Sequence, residues 1–150
     1  MVASETQITN LLYRYAEYID SGDLEGAASL FEHAGVYFRR EEGEATLDSA
    51  GVLDLWRNFI VRYEDGTPRT KHVITNPIVE VDEGSGTATC RSYYTVLQQT
   101  DDFALQPIIA GRYHDRFERV DGVWRFSYRN YSLSDLIGDM SHHGARTLRS

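Results

Sequence analysis

Apolar residues first recur along the chain with a helical period. Ile8, Leu11, Leu12, Tyr15, Ala16 and Ile19 fall at i, i+3, i+4, i+7, i+8 and i+11, which makes one stripe of an amphipathic helix. Ser4-Glu5-Thr6-Gln7 ahead of it reads as a capping box, and Ser21-Gly22 as its stop. Asp23 is placed to cap a second helix that turns Leu24, Ala27, Ala28 and Phe31 inward. Val36-Tyr37-Phe38 reads as a short strand. A third helix opens at Asp48 or Ser49, carries Val52, Leu53, Trp56, Phe59, Ile60 and Tyr63, and is closed by Glu64-Asp65-Gly66-Thr67-Pro68.

From Thr70 the period changes to two. Strands are predicted near 70–82, 86–99, 106–120 and 123–132. Glu83-Gly84-Ser85-Gly86, Thr100-Asp101-Asp102 and Val120-Asp121-Gly122 punctuate them as hairpins. Helices followed by an antiparallel meander imply an α+β fold, with the helices on one face of a curved sheet and a pocket between the layers. The 150 residues fit one domain, 1–150, with no repeat or linker. The last ten to fifteen residues lack periodicity and are expected to fray or to pack on a neighbouring subunit.

Composition narrows the function classes. A formal net charge of −8 disfavours nucleic acid, whose phosphates would be repelled. The lone Cys90 supports neither an intrachain disulfide nor a cysteine zinc site, and is expected to be a small buried apolar residue. No signal-peptide pattern and no membrane-length apolar run stand in the sequence, so the expected compartment is cytoplasmic. Ten Tyr and six Phe supply walls for a flat apolar ligand.

Two residues carry the candidate chemistry. Asp20 follows Leu12 and Ala16 at spacings of four, at the edge of the buried stripe. It reads either as a functional carboxylate or as a helix-end residue bonded to the backbone of Ser21–Asp23. His72 alternates with Ile74 and Asn76, whereas Lys71, which prefers water, takes the other face, so His72 is expected inside. A carboxylate that orients an imidazole makes a general base near neutral pH. His33 and His114 have no obvious partner, and the adjacent His142-His143 lack metal-ligand spacing, so no metal is expected. Tyr113 shares an inward face with Ile109, Gly111 and Phe117, and the absent side chain at Gly111 is a place for a ligand. Arg129 is ambiguous. Strict alternation puts it opposite Trp124 and Phe126, as a surface or intersubunit ion pair, and it reaches a pocket only through a bulge.

Three stretches carry a family resemblance: Tyr13-Arg14-Tyr15-Ala16-Glu17-Tyr18-Ile19-Asp20, Thr70-Lys71-His72-Val73-Ile74, and Phe117-Glu118-Arg119-Val120-Asp121-Gly122-Val123-Trp124-Arg125-Phe126. Together they resemble the scytalone dehydratase-like branch of the nuclear transport factor 2-like (SnoaL-like) superfamily, a cone-shaped fold. The first two stretches match where that branch keeps a catalytic Asp and His. The chain is also similar to the hexachlorocyclohexane dehydrochlorinases, whose ending resembles Trp124-Arg125-Phe126-Ser127-Tyr128-Arg129-Asn130 and gives Arg129 a substrate-binding role. Two departures stand out. Tyr15 replaces the lysine of the dehydrochlorinases, and Ile108 and Ala110 stand near the second histidine of scytalone dehydratases, so the substrate of neither family is implied.

The resemblance implies a lyase or isomerase without a cofactor, acting on a small apolar or aromatic ring compound, with His72 and Asp20 catalytic. Tyr113, Arg129, Tyr15, Tyr94 and Trp56 are the expected substrate contacts. A homo-oligomer, trimer or dimer, is expected as well. The alternatives are a non-catalytic SnoaL-like binding domain and the small subunit of a ring-hydroxylating dioxygenase.

Overall fold

The structure is a computed structural model that describes residues 2–40 and 43–144. Helix α1 (Ser4–Asp20) buries Ile8, Leu11, Leu12, Tyr15, Ala16 and Ile19, the stripe read from the sequence. Its start differs from expectation. Ala3 is the N-cap with no side-chain cap bond, because the Ser4 hydroxyl instead accepts the indole N–H of Trp124 at 3.0 Å. Its end is fixed by Gly22 at φ +81, where the Gly22 and Asp23 amides donate back to the Ile19 and Tyr18 carbonyls at 3.0 and 2.9 Å. A side chain at Gly22 would strike the Gly66 carbonyl, so this turn is closed to any other residue.

Asp23 caps α2 (Leu24–Ser29) by accepting the Gly26 amide at 2.8 Å, and Asp48 caps α3 (Ser49–Phe59) through Gly51 at 2.8 Å. Helix α3 stops at Phe59, one turn short of the predicted Tyr63. Ile60 leaves the helix because it forms a β-bridge with Gly144 of the tail.

The strands are β1 (Gly35–Arg40), β2 (Gly43–Leu47), β3 (Thr70–Asp82), β4 (Thr87–Thr100), β5 (Phe103–Val120), β6 (Val123–Asn130) and β7 (Leu136–Ile137). Strand β2 is not foreseen from the sequence. Among the described residues the sheet order is β2-β1-β6-β5-β4-β3, with β1 parallel to β6, and β7 joins β5 where β6 no longer covers it. The predicted meander β3 to β6 is antiparallel throughout. The helices pack on the face that carries Tyr94, Tyr113, Phe117 and Phe126, and Cys90 is buried with its thiol pushed up to about 12 by burial. No helix among the described residues is long and apolar enough to cross a membrane.

Up to Gly144 the tail packs on its own chain rather than fraying. The Arg112 amide donates to the Leu133 carbonyl at 2.8 Å, Arg112 grips Asp135 through two bonds, and the Gly138 amide donates to Ile108 at 2.7 Å. The segment therefore folds back on its own chain. Residues 145–150 lie outside the described residues.

Candidate active site

Asp20 is the last residue of α1, where the helix dipole disfavours a carboxylate. Three donors outweigh that cost. The Asp20 Oδ2 accepts the His72 backbone amide at 2.7 Å, and Oδ1 accepts the Thr70 hydroxyl at 2.9 Å and the His72 ring at Nδ1, 2.7 Å away. Strand β3 ends the sheet, so its outward amides have no strand partner, and the helix end supplies the acceptor. The helix-end alternative, a carboxylate spent on the Ser21–Asp23 backbone, is not what the structure has. The His72 side chain is 5% exposed and that of Asp20 10%. A carboxylate only accepts, so Nδ1 carries the proton and the lone pair of neutral His72 lies on Nε2.

The other predicted residues form a chain of ring contacts leading inward from His72. Tyr15 meets His72 edge-on at 6.0 Å and touches Trp56 and Tyr113, each at 5.9 Å. Tyr94 stacks on Tyr113 at 4.4 Å and bonds Ser134 through its hydroxyl. Burial holds the Tyr15 and Tyr113 hydroxyls well above the ordinary phenol range and pushes Tyr94 up to about 12, so all three stay protonated near neutral pH.

The outward placement of Arg129 that strict alternation gives is overturned, and a bulge is the reason. Arg116 pairs with Tyr128 but Phe117 pairs with Phe126, so Ser127 is an extra residue in β6. The extra residue turns Arg129 to the same face as Trp124 and Phe126. Arg129 is 0% exposed, and its guanidinium lies 3.7 Å from the Tyr113 ring centre and 4.6 Å from that of Tyr15. It donates to both oxygens of buried Asp115, at 2.7 and 3.0 Å. Burial works against the charge of Arg129, but the Asp115 carboxylate outweighs it and holds the guanidinium protonated. The room expected at Gly111 is also taken: a Cβ there would meet the Leu133 carbonyl and the Tyr94 hydroxyl.

Among the described residues, one concavity that reaches the pair opens at the seam of α1 and β3. It holds about 540 Å³ and is lined by Tyr13, Ala16, Glu17, Asp20, Thr67, Lys71, His72 and Ile74, among others. Inside the cone three buried nitrogens have no hydrogen-bond partner among the described residues: Trp56 Nε1, Arg129 Nη1 and His143 Nδ1. No cluster of three or more His, Cys, Asp and Glu suited to a metal stands among the described residues.

Sequence reasoning missed Asp115, Tyr131 and His143. Asp115 had a signal, a charge in phase with inward Tyr113 and Phe117. Tyr131 hydrogen-bonds Tyr15 hydroxyl to hydroxyl at 2.6 Å. His143 had none, since its place depends on the tail. Its pKa is lowered to about 4, first by burial and then by His72, with Asp20 pulling the other way. A histidine neutral when folded and near its usual pKa of about 6.5 when unfolded binds its proton mainly in the unfolded chain between those values. Stability should therefore rise with pH from about 4 to 6.5, by up to about 3 kcal/mol. Thermal melts across that window should show a flatter curve for His143→Gln than for the parent.

Solved structures share this architecture. A protein of unknown function from Mycobacterium tuberculosis is 26% identical, with a TM-score of 0.67 over 88% of this chain and 72% of the other. A candidate scytalone dehydratase from Novosphingobium aromaticivorans is 22% identical, with a TM-score of 0.62 over 84% and 80%. The beta subunit of a candidate aromatic-ring-hydroxylating dioxygenase from the same organism is 20% identical, with a TM-score of 0.66 over 92% and 94%. At these last two identities the likeness speaks for the fold alone. No curated protein matches the sequence. A family model does match, across residues 1–130, and by it the chain belongs to the SnoaL-like domain family.

Proposed function

We propose that the protein is a lyase or isomerase of small, mostly apolar ring compounds, using the Asp20–His72 pair as its general base. One observation carries this reading: Asp20 holds both the backbone amide and the ring Nδ1 of His72 at 2.7 Å, which leaves Nε2 as the free base. The fold is shared with a solved protein described as a candidate scytalone dehydratase, which favours the same class.

In the proposed step, Nε2 takes a proton from a carbon next to an electron-withdrawing group, and the C–H electron pair passes into that group. The imidazolium formed is stabilised by the Asp20 carboxylate. In an elimination, the new carbanion expels hydroxide from the neighbouring carbon, and the His72 proton converts it to water. In an isomerisation, the same proton returns to a different carbon. Tyr15 and Tyr113, both protonated, and Arg129 Nη1 would steady the developing negative charge.

The test is proton exchange. Small cyclic ketones and hydroxyketones incubated with the protein in D₂O should gain deuterium at the acidic carbon, followed by NMR. Exchange that occurs equally without the protein across the panel would leave a non-catalytic binding domain as the better reading.

We also expect self-association. Val73, Ile78 and Tyr93 are exposed on neighbouring strands β3 and β4, an apolar patch that a second copy can cover. Light scattering should give a trimer or dimer, and a monomer at high concentration would refute it.

A further inference from the structure

We infer that His143 is a ligand-binding residue of the Asp20–His72 site, hydrogen-bonding through Nδ1 to a neutral oxygen substituent on the ring compound; this rests on the site proposed above. His143 lies in the tail, beyond the residues matched by the family model.

The starting observation is an unsatisfied atom. His143 is 6% exposed, and its Nδ1 is buried with no partner among the described residues. Leaving such a group unpaired costs roughly 1–3 kcal/mol. A buried nitrogen without a partner calls for an occupant, and a ligand supplies one.

The second observation is how firmly the tail is held there. The His143 carbonyl accepts the Val61 amide at 2.9 Å, and its amide donates to Met140 at 3.1 Å. The His142 carbonyl accepts the Gln98 side-chain amide at 3.0 Å and the Tyr63 hydroxyl. Next door, Gly144 bridges Ile60, and the Phe59 ring leaves no room there for a Cβ. Phe59 also meets the His143 ring edge-on at 6.2 Å.

Register brings this anchored segment to the strand positions beside the dyad. Gln98 of β4 is the direct cross-strand partner of Thr70 of β3. Thr70 holds the Asp20 carboxylate, while Gln98 holds the residue before His143. One rung of the sheet therefore ties down both the catalytic carboxylate and the tail. His143 stands within electrostatic reach of His72 and Asp20.

The chemistry of the occupant follows. Burial keeps this imidazole uncharged near neutral pH, so it offers a hydrogen bond without a counter-charge. A carbonyl or hydroxyl oxygen suits it, and a carboxylate or phosphate does not.

The experiment compares two ligands of one skeleton, 1-tetralone and tetralin, titrated into the full chain by calorimetry. The parent should prefer the ketone. In His143→Phe the ketone should bind about tenfold more weakly, as loss of one buried hydrogen bond predicts, while tetralin binding stays within about twofold. His143→Gln, which keeps a donor and an acceptor, should retain part of the preference. An unchanged ketone-to-hydrocarbon ratio in His143→Phe would overturn the inference, since Nδ1 would then face only water. So would equal losses for both ligands, or a parent that binds neither. If circular dichroism shows His143→Phe unfolded, His143→Ala is read by the same criteria. Repeating the titrations in His72→Ala separates the two proposals, because the ratio needs no turnover and should persist there even if His72 proves not to be the base.

Discussion

His72→Ala should lose roughly 100- to 10,000-fold in proton-exchange or turnover rate, the usual worth of a positioned general base, while the fold survives. Asp20→Asn should lose nearly as much for a different reason. Its amide oxygen can still accept the His72 backbone amide, so the edge of β3 stays anchored. Its NH₂ then faces Nδ1, which must become an acceptor, and the ring proton moves to Nε2. The base is thereby occupied, and no carboxylate remains to stabilise an imidazolium. Because the two residues act as one unit, the double variant should be little slower than either single one. Asp20→Ala is the contrasting case: it also abandons Thr70 and the β3 amide, so it should destabilise the protein as well. Rates in His72→Ala equal to the parent's would end the catalytic reading.

What the sequence disclosed about this site was set by local period, and what it concealed was set by contacts at a distance. The α1 stripe and the inward phase of His72 were legible because each depends on spacing within one element, and the same stripe located Asp20 at its edge. The Ser4 capping box failed because Trp124, far along the chain, takes the hydroxyl. Strand β2 escaped notice since Gly43-Glu44-Ala45-Thr46-Leu47 lies at the sheet edge, with too few buried positions to show alternation. Arg129 turned on one extra residue, Ser127, and a single-residue bulge inverts every later side chain without changing composition. His143 is buried only because α3 yields its last turn to the tail at Ile60. No periodicity within the tail could report that.

The buried pair behind the aromatic wall sets the largest expected stability effect. Asp115→Ala should cost about 3–5 kcal/mol, because it strands the Arg129 guanidinium among Tyr15, Phe31, Tyr113 and Phe126 with no counter-charge. For a chain of this size that is a fall in Tm of about 6–20 °C. Arg129→Met strands the carboxylate instead, and a carboxyl can escape by taking up a proton. Burial already pushes Asp115 upward against the pull of Arg129, and removing Arg129 leaves the burial effect unopposed. A carboxyl whose folded pKa exceeds its unfolded value stabilises the fold at low pH, and that contribution is lost as pH rises through the folded pKa. Arg129→Met should therefore approach parental stability in acid and fall behind it at neutral pH, whereas Asp115→Ala should not recover this way. The double variant Asp115→Leu with Arg129→Met should regain much of the loss at every pH, since well-packed apolar side chains often replace a buried ion pair at little cost. If that double variant folds well yet no longer binds a ring ketone, the pair is kept for the free Nη1 donor it presents. A double variant that binds as tightly as the parent would make the pair purely architectural, and denaturation beside ligand titration on the same samples distinguishes the two.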